Sequence, residues 1–272
     1  EVFKIDTKTG TKTLFVTPQE GLDNMVFDAD GSMYVSNADF GWVIEVKPGG
    51  QTRTISTGGM IGPMGLAVIP GSNNQEALFV ADLFRLREFN ATSGREVGVQ
   101  KGYLVSEPKK LTTPFTVSAD GNKLVVSSFF NGLVQVWDPG TNTVLEEYSM
   151  PVPINAIRFK NDLAVVDLGL GGVVRASNKS MILPIDNATV FAPGGLATDG
   201  ELLWVADWGT GIIWQISFNG NTPNAPVPVA QGFMKPEGLA WDQNGGLLVV
   251  ETGASRLSRV ELSTGVVTPI AE

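Results

Sequence analysis

With neither histidine nor cysteine among its 272 residues, this chain has no thiol nucleophile, no disulfide, no Cys/His zinc site and no Ser-His-Asp triad. Acid-base work falls to carboxylates, lysine, tyrosine or metal-bound water. Four oxygen-bearing side chains, Asp23, Asn24, Asn155 and Glu237, come nearest to a cation-binding set once the internal repeats described below are superposed. A hard divalent ion wants roughly six or more oxygens, several from carboxylates or amides, so these four would supply part of its shell. The residues require no cofactor; a Ca²⁺-like divalent cation is the one they could hold.

A second group of residues suits binding better than catalysis. Phe40, Phe84, Arg85, Phe129, Phe130 and Trp208 follow closely on short apolar runs that end in a polar residue. Aromatic rings beside carboxylates, amides and one arginine would suit a sugar, an apolar small molecule or a protein partner. Arg85 is placed to pair with Asp82 or with an anionic ligand.

What must position both groups is a repeat. The runs MYVSN, LFVAD, LVVSS, LAVVD, LWVAD and LLVVE end at Asn37, Asp82, Ser128, Asp167, Asp207 and Glu251, spaced by 45, 46, 39, 40 and 44 residues. Periods of about 40 to 50 residues with several strands each are the signature of propeller blades. The last unit shows the parts most clearly: LAWD, LLVVE, RLSRVEL and VVTPI, four short strands separated by turns. DADG, SADG and TDG follow the first strand in three units, where Asp and Gly supply the local bonds and positive φ of tight hairpins. With 32 Gly, 16 Pro and no sustained helical periodicity, the chain reads as all-β. Trp137, Trp204, Trp214 and Trp241 fall inside strands and are expected to pack between blades.

Superposing the units sets Asp23, Met64, Thr113, Ile154, Gly194 and Glu237 at the start of each first strand, where loops would converge on the mouth of a central channel. The column Asn37, Asp82, Ser128, Asp167, Asp207 and Glu251 is polar in every unit. Repetition favours a structural role there, bonding backbone amides of a neighbouring turn, over one asymmetric reactive constellation. Residues 20–272 hold six complete units in a single propeller domain 1–272, while residues 1–19 match only the outer two strands of another: KIDTKTG aligns with RVELSTG. Six or seven blades fit, with seven slightly favoured and one blade incomplete.

Acidic residues outnumber basic ones 28 to 19, a net charge of −9, and Lys109-Lys110 is the longest basic run. A generic nucleic-acid-binding module is therefore excluded and anionic membrane surfaces are disfavoured, and no apolar stretch is long enough to span a bilayer as a helix. A chain starting at Glu1 fits a processed product of an extracellular or periplasmic protein. Asn-x-Ser/Thr triplets at Asn90, Asn178 and Asn187 add little in so Asn-rich a chain.

GGLATDGELLWVADWGTGIIWQIS and PEGLAWDQNGGLLVVETGASRLSRVELSTG resemble β-propeller repeats of the senescence-marker-protein/gluconolactonase group, and more loosely NHL repeats and the streptogramin B lyase propeller. The resemblance runs through the whole chain and speaks to fold before function. It implies a divalent cation held by a Glu, two Asn and an Asp. Glu237 resembles the Glu of the EGP-type start, and Asp23 holds the equivalent position in its own unit. Met64, Thr113, Ile154 and Gly194 do not reproduce the set, and the third strands GIIWQIS and GLVQVWD depart from the NHL pattern. Streptogramin-lyase and paraoxonase-like chemistries rely on His, which this chain lacks. The sequence thus favours a non-catalytic binding or protein-interaction propeller, exported and part of a larger protein or assembly. Its partner would be a protein, a small molecule or a sugar at the channel mouth. The alternative is a divalent-metal-dependent hydrolase of lactones or sugar esters.

Overall fold

The computed structural model describes residues 2–271 apart from 7, 8, 10, 72–74, 187, 188 and 255, so the Asn187 triplet lies outside the described residues. Apolar runs with turn residues at both ends become strands, and the strands assemble as the repeat predicts. Six four-stranded antiparallel sheets each use four strands in simple up-and-down order. The first blade comprises Leu22–Phe27, Met33–Asn37, Trp42–Val46 and Thr52–Ser56; the second Pro63–Pro70, Glu76–Asp82, Arg85–Asn90 and Glu96–Lys101. The third comprises Thr116–Asp120, Lys123–Ser128, Leu133–Asp138 and Thr143–Ser149; the fourth Pro153–Phe159, Asp162–Asp167, Gly172–Arg175 and Met181–Pro184. The fifth comprises Pro193–Thr198, Leu203–Asp207, Ile212–Ile216 and Val227–Gln231; the sixth Pro236–Trp241, Gly246–Glu251, Arg256–Glu261 and Val267–Ala271. The only helical element among the described residues is a 3₁₀ turn at Phe129–Asn131.

Of the two ring sizes the repeat allowed, the structure has six blades. The first hairpin, Val2–Ile5 with Lys12–Val16, is a separate two-stranded sheet. Two compact units divide the chain: Phe15–Ile157 with Val2, and Phe3–Leu14 with Arg158–Glu272.

Within the first unit each blade packs face to face on the next. Tyr34 and Val43 meet Leu66, Leu78 and Val80 between the first and second blades, and Ala67, Phe79 and Ala81 meet Val117, Leu124 and Val126 between the second and third. Phe79 and Trp137 meet edge to face at 5.9 Å, a favoured aromatic geometry. In the second unit Trp204, Ala206 and Ile213 of the fifth blade pack with Leu247, Val249 and Val260 of the sixth. Second strands are buried on both faces, as in Met33–Asn37 and Leu203–Asp207, which is why they read as continuous apolar runs and not as alternating ones. Trp137, Trp204 and Trp214 are buried as expected. Trp241 is not: it closes the first strand of the sixth blade and stays exposed.

The turn after the second strand carries a positive-φ glycine in the first, third, fourth and fifth blades, at Gly41, Gly132, Gly171 and Gly211, whereas the second blade turns at Leu83 with φ +43°. Gly211 adopts φ +72°, its N–H donates to the Asp207 carbonyl (2.9 Å), and its own carbonyl accepts from Phe233 N–H (3.1 Å). A Cβ on Gly211 would lie 2.2 Å from the Phe233 carbonyl oxygen. Gly211→Ala should therefore cost about 2 kcal/mol or more in chemical denaturation. Gly220→Ala, also at positive φ but facing open space, should cost clearly less; equal losses would refute the close-approach account.

Candidate functional site

The polar column at the ends of the second strands is buried throughout. A buried carboxylate is costly unless hydrogen-bonded, and backbone amides supply the bonds in five of the six blades. Asp207 accepts from the N–H groups of Phe191 and Ala192 in the loop entering its blade (2.8 and 2.9 Å) and of Gly209 and Thr210 in the loop leaving its strand (3.0 and 3.2 Å). Asp82 accepts from Ile61 and Gly62 N–H at 2.6 and 3.1 Å. Asn37 accepts from Phe40 N–H at 2.8 Å and donates to the Glu20 carbonyl at 2.6 Å, and Asp167 accepts from Leu170 N–H at 2.8 Å. Glu251 accepts from Met234 N–H, Arg256 and the Ser258 hydroxyl. The column pins loops, the structural role that repetition implied.

Arg85 does not serve Asp82. Arg87 does, Nε to Oδ2 at 2.9 Å. Asp82 is one methylene shorter than Glu251, which reaches the directly opposed Arg256; Asp82 is met by the arginine two residues further along the strand. Arg85 is left exposed and stands directly across the ladder from Lys101. Like charges so opposed repel, and among the described residues neither cation has an ion-pair partner. Lys101 Nζ lies instead 4.6 Å over the Tyr103 ring.

These cations sit on the rim of a depression of about 500 Å³ lined by Phe84, Arg85, Lys101, Gly102, Tyr103, Leu104, Val105 and Glu107. Its wall is the long connection between the second and third blades, and that connection is firmly held. Gly102 N–H donates to the Phe84 carbonyl (2.8 Å) and Tyr103 N–H to the Leu111 carbonyl (3.0 Å). Asn131 Nδ2 donates to the Leu104 carbonyl (2.6 Å). Beneath it, buried Gln135 accepts from Thr112 N–H (2.9 Å) and donates to the Lys110 carbonyl (2.8 Å). Leu104 and Val105 nevertheless remain 65% and 78% exposed. Phe129 and Phe130 pack on Phe115 in the segment that ends at Asn131, with ring centroids 5.5 and 6.3 Å away.

The structure thus joins two of the expected face residues, Phe84 and Arg85, in one depression, and ties the segment bearing Phe129 and Phe130 to its wall through Asn131. Phe40 is exposed on the first blade, and Trp208, in the second unit, lies under the Lys235 ammonium at 4.7 Å. Residues 101–107 were missed by pattern alone. Their signal was the length of the connection, residues 102–115, against the short links elsewhere.

Of the cation candidates, Asp23 and Asn24 are exposed on the first strand of the first blade, and Asn155 is half-buried in the fourth blade. Asn24 presents its N–H to the Ser36 hydroxyl at 3.1 Å. Glu237 belongs to the second unit, is exposed, and lends its carbonyl to a close approach with Gly195. Among the described residues no three Asp or Glu side chains group as metal ligands.

No family model and no curated protein matches the chain. Solved structures do. A streptogramin B lyase structure superposes with a TM-score of 0.70 at 14% identity, over 93% of this chain and 83% of that one. The fold is a six-bladed β-propeller. A catalytically inactive His-to-Ala form of virginiamycin B lyase from Staphylococcus aureus with quinupristin gives 0.68 at 14% identity, covering 92% and 84%. A functionally unknown protein from Desulfotomaculum acetoxidans gives 0.71 at 12%, covering 98% and 91%. At these identities the likeness carries fold and no activity.

Glu251 gives this propeller a measurable acid response. Burial pushes its carboxyl up, but Arg256, the Ser258 hydroxyl and Met234 N–H outweigh that and hold it at about 2. A pKa depressed on folding adds stability above the unfolded value and loses it as pH falls toward the folded one. Wild type should therefore lose up to roughly 3 kcal/mol between about pH 4.5 and 2 on this account, a loss absent from Glu251→Gln in paired urea titrations. Parallel pH profiles for the two proteins would refute the assignment.

Proposed function

We propose that this protein is a non-catalytic binding propeller whose depression at Phe84, Arg85, Lys101, Tyr103, Leu104 and Val105 takes an apolar or aromatic molecule bearing a carboxylate. The observation that carries this reading is the pair Arg85 and Lys101, directly opposed across the ladder and without an acidic partner among the described residues of a chain with net charge −9. An anion bridging them would turn a repulsive pair into a site, and the tyrosine ring with exposed Leu104 and Val105 would receive the apolar body. Preorganisation by Asn131 and Gln135 supports binding over a passive loop, since an ordered wall costs little entropy on association. The lyases among the structural neighbours lend the fold only: one of them is catalytically inactive with a histidine replaced by alanine, and this chain has no histidine.

The test is calorimetric titration with a panel of aromatic and aliphatic carboxylates, their uncharged amides and polar sugar acids. Aromatic carboxylates should bind one to one, and Arg85→Ala and Lys101→Ala should each weaken binding about tenfold, near 1.4 kcal/mol. Binding equal to that of the amides, or untouched by either substitution, would overturn the proposal.

A further inference from the structure

The strand Arg85–Asn90 holds a second ionisable group without a partner, on the face opposite Arg85 and independent of the ligand reading. Leu86 and Glu88 alternate with Arg85 and Arg87 along the strand, and Leu86 belongs to the core shared with the third blade. Glu88 stands directly across the ladder from Phe79, which lies three residues before Asp82 of the polar column. The corresponding third-strand residues of the other blades are Glu45, Val136, Arg175, Gln215 and Arg259. Every polar one of them is partnered. Glu45 meets Arg53 Nε at 2.5 Å and the Lys47 ammonium, and Arg175 lies 3.8 Å from Asp162. Gln215 accepts from Trp204 Nε1 at 3.0 Å, and Arg259 meets Asp242 and Glu261 at 2.7 and 3.0 Å. Glu88 alone has no such partner among the described residues, and burial pushes its carboxyl above the usual range.

The first blade shows what is missing. Glu45 is opposed across the ladder by Arg53, whose guanidinium also donates to the Ala91 and Thr92 carbonyls of the next blade, each at 2.7 Å. In the second blade the residue opposing Glu88 is Gly98, and Asn90 stands in the place of Lys47. Ala91 and Thr92 are the two residues after a third strand; their counterparts in the third blade are Pro139 and Gly140. Those two, with Ile69, Ala77, Phe79 and Glu88, line a cleft of about 390 Å³. The carboxylate and both backbone positions of the Arg53 seat are therefore present, and the arginine is replaced by glycine. Residues 72–74, which lie outside the described ones, are Ser, Asn and Asn and bring no cation. A half-buried carboxylate lacking a counter-charge is unfavourable, and the planar fork of a guanidinium matches a carboxylate and neighbouring carbonyls together.

We propose that this cleft binds a guanidinium group, with the Glu88 carboxylate and the Pro139 and Gly140 carbonyls as acceptors and Ile69, Ala77 and Phe79 against the alkyl stem. The bound group would do for the second blade what Arg53 does for the first: neutralise the carboxylate and tie it to the turn of the next blade. An alkylammonium, a point charge without the fork, would be held less tightly. The same chemistry is carried by a small alkylguanidine and by an arginine side chain within a peptide, and the probes below separate the two.

Calorimetric titration of the full chain uses N-acetylarginine methylamide, the uncharged citrulline analogue of the same shape, butylguanidine and the peptide acetyl-Gly-Arg-Gly-amide. The arginine compound should bind one to one and at least tenfold more tightly than the citrulline compound. Glu88→Gln, with its melting temperature as the check on folding, should lose that preference. Equal affinity for butylguanidine and the peptide would assign the site to a small alkylguanidine, and tighter binding of the peptide would assign it to an arginine within a chain. Gly98→Arg rebuilds the first-blade arrangement from within: Gly98 lies outside the left-handed region, and a Cβ there meets only the Glu88 side chain, at 3.3 Å and beyond. That variant should melt several degrees higher and no longer bind the arginine compound, whereas Gly98→Ala should still bind it. No saturable binding, equal binding of the arginine and citrulline compounds, or binding that survives Glu88→Gln or Gly98→Arg would overturn the proposal.

Discussion

One interaction recurs in five of the six blades: a buried polar side chain at the end of a second strand accepts backbone N–H groups of an adjoining loop. That loop is the one entering the blade for Asp82, Asp207 and Glu251, and the one leaving the strand for Asn37, Asp167 and again Asp207. Asp207 does it with four amides, two of them in the loop leaving its strand, Asp82 with two, and Glu251 with one amide plus its arginine and serine. Buried anions of this kind stabilise only while every donor is in place. Where they are, they convert flexible inter-blade connections into fixed ones. Arg87 and Arg256 neutralise Asp82 and Glu251, whereas Asp207 relies on amides alone among its described partners.

The third blade shows what happens when that device is altered. Its column residue is Ser128, neutral and short, and its hydroxyl bonds Thr112 Oγ1 at 2.5 Å. The work of holding the entering loop passes to Gln135, which bonds Thr112 N–H and the Lys110 carbonyl and leans on Glu147 at 2.7 Å. The connection supported in this way is the longest between blades, and it is the one that walls the depression beside Arg85 and Lys101. Departure from the repeat and appearance of a candidate site thus share one cause. A scaffold that repeats everywhere else can accommodate an individual loop where a separate buried network secures it.

The first blade is packed unevenly on the face that meets the Val2–Ile5 and Lys12–Val16 hairpin. There Val2, Phe15 and Val16 cover Met33, Val35 and Val46. Met25 and Phe27, one strand further in, stay exposed, and nothing in the local sequence marks them as different from the buried residues of other first strands.

The sequence by itself determined the strand count per unit, the turn positions and the role of the polar column, because these depend on neighbours within a few residues and recur six times. Period, alternation and Gly or Asp at a turn are local quantities, and Gly31, Gly121 and Gly200 do take positive φ. Tertiary structure alone decided which arginine meets Asp82, since Arg85 and Arg87 share a strand face and only the depth of each against a buried carboxylate separates them. It alone decided that Trp241 stays exposed while Trp137, Trp204 and Trp214 are buried, and that the blades number six. Residues 101–107 likewise meet Phe84 and Arg85 only because Asn131 and Gln135 hold their loop in place. Contacts between segments far apart in the chain depend on register and loop path, and no local period encodes either.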